Sequence, residues 1–367
     1  MLKVTFEKSV AVLLLILVLF SLAAYLLNWG KNFIFISSVL SIIPLSIGLS
    51  IATEKVAIVT GPTLGGLVNA IFGSGTTLII ALVALKEGLV DLVKASITGS
   101  ILSDLLLFLG LAMLMGGIRY KEQEFQPILA RVNGLSMTLG VIAIALPTLA
   151  INTSSLVDPK SIQQISLIVA TVLMIVYGLT LLFSLKTHSY LYDVSLAIEA
   201  KSNPLEPKEV TDHDHRLWLW IGILLLMTMG IAFESELFVK DLNSVIDGFG
   251  FTPLFTGVIL LPLIGDLAGI ITVVRLALKN KMDLTVATAT GDSLLITLFV
   301  APLLILVGAK MNQEMDLNFN PFEVVAMAVA VIVTNLISFS GRSNWLDGTL
   351  LLATYLILGV TFFYHPV

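Results

Sequence analysis

Three carboxylates lie where carboxylates are costly. Asp104, Asp266 and Asp292 each fall deep inside a long apolar run. At ~1.5 Å of rise per helical residue, each sits ~14–20 Å from the start of its run, near the centre of a ~30 Å hydrocarbon layer. One aspartate at that depth costs ~3 kcal/mol to insert, and three cost ~9 kcal/mol. Polar contacts between helices would account for them. So would a site that holds a cation or a proton, since hard cations take oxygen ligands and a carboxyl that loses its cation can accept a proton instead.

The spacing around the acids favours such a site. Asp266 follows Gly265 and precedes Gly269, and Asp292 follows Gly291. Glycine lets a helix unwind locally and turns its carbonyls toward a cavity. Asp104 comes four residues after Ser100, so the two share a helix face. Glu54 and Glu236, in Thr53-Glu54 and Ser235-Glu236, stand near the ends of corresponding runs. They either line access pathways or sit at the membrane interface. Arg275 is one turn from Lys279 and reaches toward water, or it neutralises one of the acids.

The elements that position these residues are membrane helices. Hydrophobic residues make up 57% of the 367 and charged residues 12%, where a soluble domain carries about 25% charge. Apolar runs near membrane-spanning length recur along the chain. They define eleven candidate spans near residues 10–27, 33–52, 63–85, 90–115, 132–150, 163–184, 217–236, 253–278, 283–308, 321–340 and 346–363. The first run is too long, and too soon followed by a second, for a cleaved signal peptide. With the N-terminus in the cytoplasm, thirteen of the 20 Lys and Arg residues fall on the inner side and six on the outer. There is no cysteine, so disulfides, thiolate metal sites and cysteine nucleophiles are excluded. No cofactor loop or catalytic motif appears, so neither an enzyme nor a resident cofactor is expected, and no nucleic-acid partner.

The chain divides into a first helix (1–32), a five-helix half (33–184), a charged loop (185–216) and a second five-helix half (217–367). The loop contains Asp212-His213-Asp214-His215, which either holds a divalent cation or forms part of a solvated linker. The halves repeat one another. Phe72-Gly73-Ser74-Gly75 answers Ile264-Gly265-Asp266, and Ala95-Ser96-Ile97-Thr98-Gly99-Ser100 answers Ala287-Thr288-Ala289-Thr290-Gly291-Asp292. Ser74 is thus the mate of Asp266, and Ser100 that of Asp292. Five spans per half force the second half to enter from the opposite side. The expected fold is an all-α integral membrane protein: one extra helix and two inverted five-helix repeats, a recurring plan of secondary transporters with a site at the midplane.

Longer stretches carry a family likeness. They include Leu64-Gly65-Gly66-Leu67-Val68-Asn69-Ala70-Ile71-Phe72-Gly73, Lys94-Ala95-Ser96-Ile97-Thr98-Gly99-Ser100-Ile101-Leu102 and Ala277-Leu278-Lys279-Asn280-Lys281-Met282-Asp283-Leu284. The chain resembles the Ca²⁺/H⁺ antiporters of the cation/proton exchanger family over nearly its whole length after the first helix. The resemblance implies that fold, calcium as the transported cation, and a Gly-Asn-Ala-x-Glu motif in each half whose glutamate binds calcium and exchanges it for protons. Here Thr77 and Gly269 stand where those glutamates belong. Asp104 and Asp266 replace motif asparagines and Asp292 a serine. A decayed pore would lose charge rather than relocate it.

The expected function is therefore cation/proton antiport across a bilayer, in a prokaryotic plasma membrane, at an altered site of Asp266, Asp292 and Asp104 as metal ligands with Ser74, Ser100 and Thr77 beside them. The alternatives are antiport of Na⁺, K⁺, Mn²⁺ or Mg²⁺, a channel, and a non-transporting paralogue.

Overall fold

The computed structural model describes residues 2–153, 158–188, 213–311 and 313–365. The loop 189–212 and the side chains of His213 to His215 lie outside the described residues. The chain begins with α1 (Leu2–Leu26), α2 (Lys31–Phe72) and α3 (Gly75–Lys86). It continues through α4 (Val90–Tyr120), α5 (Pro127–Thr153) and α6 (Pro159–Thr187). After the loop come α7 (His213–Phe249), α8 (Pro253–Gly265), α9 (Leu267–Leu278) and α10 (Met282–Lys310). The chain closes with α11 (Pro321–Ser338) and α12 (Trp345–Tyr364).

Among the described residues, eight helices are long and apolar enough to cross a membrane. The pair α8 and α9, bent by 62°, makes a ninth span if counted as one. The other two expected spans differ. The described apolar part of α1 is the short stretch Ile16–Leu26. The run at 63–85 is not one helix: it divides between the end of α2 and α3. A hydropathy window averages across that break, which comes from backbone dihedrals that the apolar pattern does not encode. Within α2, Gly61 adopts φ 82°, a left-handed conformation, and kinks the helix where the long first span ends.

The two breaks match. Ser74, between α2 and α3, has φ −105° and ψ 33°; Asp266, between α8 and α9, has φ −112° and ψ 19°. A second correspondence lies in the helices that follow. The α-helical ladder widens to π geometry at Ser103–Phe108 in α4 and at Ile296–Val300 in α10. Such bulges spare one backbone carbonyl its usual partner and are frequent at functional sites.

Burial shows which helices are central. In α4 and α10, 72% and 67% of the most apolar window is buried by protein, against 17% in α7. A helix that is apolar all round and covered by its neighbours belongs to the core. These two core helices carry Ser100, Asp104 and Asp292. Around α4, Ile101, Leu102, Leu105, Leu106 and Leu109 are fully buried and hold the helix against α8, α10 and α12. Lys94, near the start of α4, is buried: its Nζ donates to Asp316 Oδ1 at 2.5 Å and to the Asn318 carbonyl at 3.0 Å. At the other end of the bundle β1 (Glu122–Glu124) pairs antiparallel with β2 (Arg342–Asn344). Beside them Gln123 Nε2 donates to the Ala277 carbonyl, closing the C-terminus of α9.

The helix starts are written in the local sequence. Asp158, followed by Pro159, caps α6 by accepting from the Lys160 and Ser161 amides. Those amides hold its carboxyl below the usual aspartate range. A depressed carboxyl supports the fold above its ordinary value and loses that support as pH falls through the lowered one. Protection of the amides in the first turn of α6, read as exchange relative to the intrinsic rate at each pH, is therefore expected to fall on acidification through that window. Asp158→Ala is expected to show low protection throughout. Hydrogen-exchange mass spectrometry of this segment checks both.

Candidate functional site

Asp266 occupies the break between α8 and α9, where its backbone leaves the helical path. Its Oδ1 accepts the Thr77 hydroxyl at 2.7 Å, and its Oδ2 accepts the Ser100 hydroxyl at 3.4 Å. Thr77 lies in the first turn of α3, just after the matching break, and Ser100 in α4. The carboxylate of one half is thus held by two hydroxyls of the other, 189 and 166 residues away. Hydrogen bonds to an ionised group are each worth about 1.5–3 kcal/mol, so this arrangement fixes the carboxylate well.

Asp104 and Asp292 complete the acidic cluster. Each of the three lies within electrostatic reach of the others. Their surroundings differ. Asp104 is 1% exposed, in the π segment of α4; Ser293 lies beside it, and its Oδ2 is buried with no partner. Asp266 and Asp292 are half-buried. Among the described residues, no group of three or more acidic, histidine or cysteine side chains converges closely enough to hold a metal ion. Of the three expected metal ligands, Asp104 is the most deeply buried.

The other expected residues separate clearly. Ser100 and Thr77 join the cluster through Asp266. Ser74 is buried at its break, but no hydrogen bond links it to the acids among the described residues. Glu54 is exposed on α2. Glu236 pairs with Lys86 at 2.9 Å, both side chains more than half exposed. Neither glutamate touches the cluster; both lie toward the surface. Arg275 is exposed on α9.

Two neighbours were not legible in advance. Ser293 lies beside Asp104 and donates to the Ile101 carbonyl at 3.3 Å, joining α10 to α4. Its position next to Asp292 was the available signal. Tyr177 of α6 is buried within reach of the Asp292 charge, its ring 5.4 Å from that of Phe299. Nothing in its local sequence marks it. Behind α10, Asn133 Nδ2 donates to Thr290 Oγ1 at 2.9 Å and fixes the turn that leads to Asp292.

The sodium/calcium exchanger protein family matches this chain over residues 30–186 and 219–364. The chain belongs to that family. The two matched stretches lie on either side of the charged loop. Among relatives within the exchanger family, a Ca(2+)/H(+) antiporter of Aphanothece halophytica is 54% identical over 358 residues, covering 96% of each chain. A Ca(2+)/H(+) antiporter of Synechocystis is 50% identical over 366 residues, covering 98% of each. The solved structure of native YfkE superposes with a TM-score of 0.82 at 32% identity, covering 97% of this chain and 100% of that one. The chain is thus an all-helical membrane transporter of the exchanger family, not an enzyme.

Proposed function

We propose that this protein is a secondary active antiporter that exchanges a cation, calcium by default, for protons at a site centred on Asp266 and Asp292. The observation that carries the reading is the carboxylate of Asp266, set in a helix break and held by Thr77 and Ser100 of the other half. Relatives described as Ca(2+)/H(+) antiporters, at 54% and 50% identity over nearly the whole chain, support the choice of ion and of coupling. Thr77 and Gly269 stand where the resemblance places glutamates. The charge that binds the cation is then supplied by Asp266 and Asp292, with Thr77 and Ser100 giving hydroxyl oxygens, while Asp104 stands behind them. In this reading Ser74 belongs to the same site, and Glu54 and Glu236 stand on its two approaches.

The architecture behind this reading is one N-terminal helix (1–32), a five-helix repeat (33–184), a cytoplasmic loop (185–216) and a second, inverted repeat (217–367), eleven spans in all. The matching breaks at Ser74 and Asp266 and the matching π segments in α4 and α10 support it. The two repeats rock to expose the site to one side and then the other. The N-terminus lies in the cytoplasm of a prokaryotic plasma membrane.

The test is uptake of ⁴⁵Ca²⁺ into proteoliposomes under an imposed pH gradient, with Mn²⁺, Mg²⁺, Na⁺ and K⁺ as competitors and as substrates. Gradient-dependent calcium uptake is expected. Gradient-driven uptake of another of these ions alone would reassign the substrate at the same site. Absence of flux for all of them would sink the antiport reading. Thr77→Val removes a hydroxyl donor of Asp266 at nearly constant volume. Losing a hydrogen bond to a charged group, about 1.5–3 kcal/mol, is expected to weaken apparent cation affinity by about tenfold or more in the same assay.

A further inference from the structure

A groove of about 320 Å³ runs between α8 and α12, outside the acidic cluster. Its walls include Phe255 and Ile259 of α8 and Tyr355, Gly359 and Val360 of α12. Leu356 and Val360 are 65% and 58% exposed, so the groove opens on the outer surface of the bundle rather than toward its centre. The helix α12 is long and apolar enough to cross a membrane, and α8 is the first half of the bent ninth span, so that outer surface is set toward lipid. The one hydroxyl in the lining, that of Tyr355, is 3.4 Å from Ser103 Oγ in the core. At its end the groove meets an aromatic cluster, in which Phe255 lies edge-on to Phe363 at 5.2 Å and Phe363 edge-on to Tyr364 at 5.1 Å. Aromatic side chains gather at the level of lipid headgroups. The groove therefore leads from that level into hydrocarbon and offers no polar partner along its length.

We propose that this groove binds one acyl chain of a membrane phospholipid. The recognition chemistry is shape and apolar contact: a narrow channel in a wall that already faces lipid, left open because Gly359 has no side chain. Its position gives occupancy a route to the transport site. Ile259 belongs to the π segment Thr256–Leu260 of α8, seven residues and roughly 10 Å before Asp266. Tyr355, in the opposite wall, contacts Ser103, the residue before Asp104. An acyl chain lodged between the two walls props α8 against α12 and steadies the half-helix that ends at the Asp266 break.

The test uses the full chain in bilayers containing a phosphatidylglycerol probe with a photoreactive diazirine in its acyl chain, with adducts mapped by mass spectrometry. Adducts are expected to concentrate on the α8 and α12 peptides rather than on the exposed face of α5. In Gly359→Leu they are expected to fall about tenfold there. A Cβ at Gly359 meets only Ile259 Cδ1, at 3.5 Å, so the new side chain enters the groove without moving backbone. Leu356→Trp, at the exposed rim, covers the same groove and gives an independent variant should the first fail to fold. Even labelling over all lipid-facing helices would overturn the proposal, as would unchanged labelling in a folded groove variant. Adducts joining two copies of the chain through this groove would also overturn it. Labelling requires no transport, so its outcome is separate from that of the antiport reading.

Discussion

Asp266→Asn is expected to abolish proton-driven cation uptake in proteoliposomes, lowering it by about three orders of magnitude, while the protein still folds. The size follows from electrostatics. At an effective dielectric constant of about 20, one unit charge facing another at about 4 Å is worth about 4 kcal/mol, about a thousandfold in binding. Asparagine keeps the shape of the side chain and can still accept from Thr77, so the hydrogen bond across the halves persists. What is lost is the charge. Initial ⁴⁵Ca²⁺ uptake rates at matched protein density, with a thermal melt to confirm folding, check both parts.

The second large effect is structural, at the crossing of α4 and α8. A Cβ on Gly99 would lie 2.2 Å from the Val258 carbonyl oxygen, and one on Gly257 would lie 2.3 Å from the Ala95 methyl. Two helix backbones meet there with no room for a side chain, as small residues allow in membrane bundles. Ser100, which holds Asp266, is the next residue after Gly99. Gly99→Leu must push the helices apart. Overpacking usually costs about 1–3 kcal/mol and more where backbone must move, a large share of the roughly 5–15 kcal/mol that holds a native protein. The expected result is a loss of monodisperse protein, or a melting temperature lowered by at least about 5 °C. Gly178→Leu is the control: a Cβ there meets nothing within 4 Å, and no loss is expected.

How much of this was written in the sequence depends on the kind of signal. The acids were legible because charge inside an apolar run is costly, so Asp104, Asp266 and Asp292 stood out individually. Ser100 and Asp266 were both expected at the site, but the repeat pairs Ser100 with Asp292 and Ser74 with Asp266, so the contact between Ser100 and Asp266 was not legible. The division among the acids was not legible. Whether a carboxylate is sealed or half-open depends on helices hundreds of residues away, and Asp104 is closed in by α10 through Ser293. The ion pair of Lys94 was not legible for the same reason, since its partner Asp316 is 222 residues distant. The break at Ser74 escaped the hydropathy pattern because apolar character continues across it. Tyr177 carries no local mark, and only the packing of α6 on α10 brings it near Asp292.

The central claim is that the cation site has moved onto Asp266, at the break between α8 and α9, and Asp292 of α10. The most direct measurement is an anomalous-scattering map from crystals soaked in Mn²⁺ or in a heavier calcium mimic such as Sr²⁺. The account predicts one peak between the Asp266 and Asp292 carboxylates at ligand distances of about 2–2.6 Å, with Thr77 or Ser100 oxygen beside it and Asp104 outside the shell. A peak at Glu54 or Glu236 with none between the aspartates would contradict it.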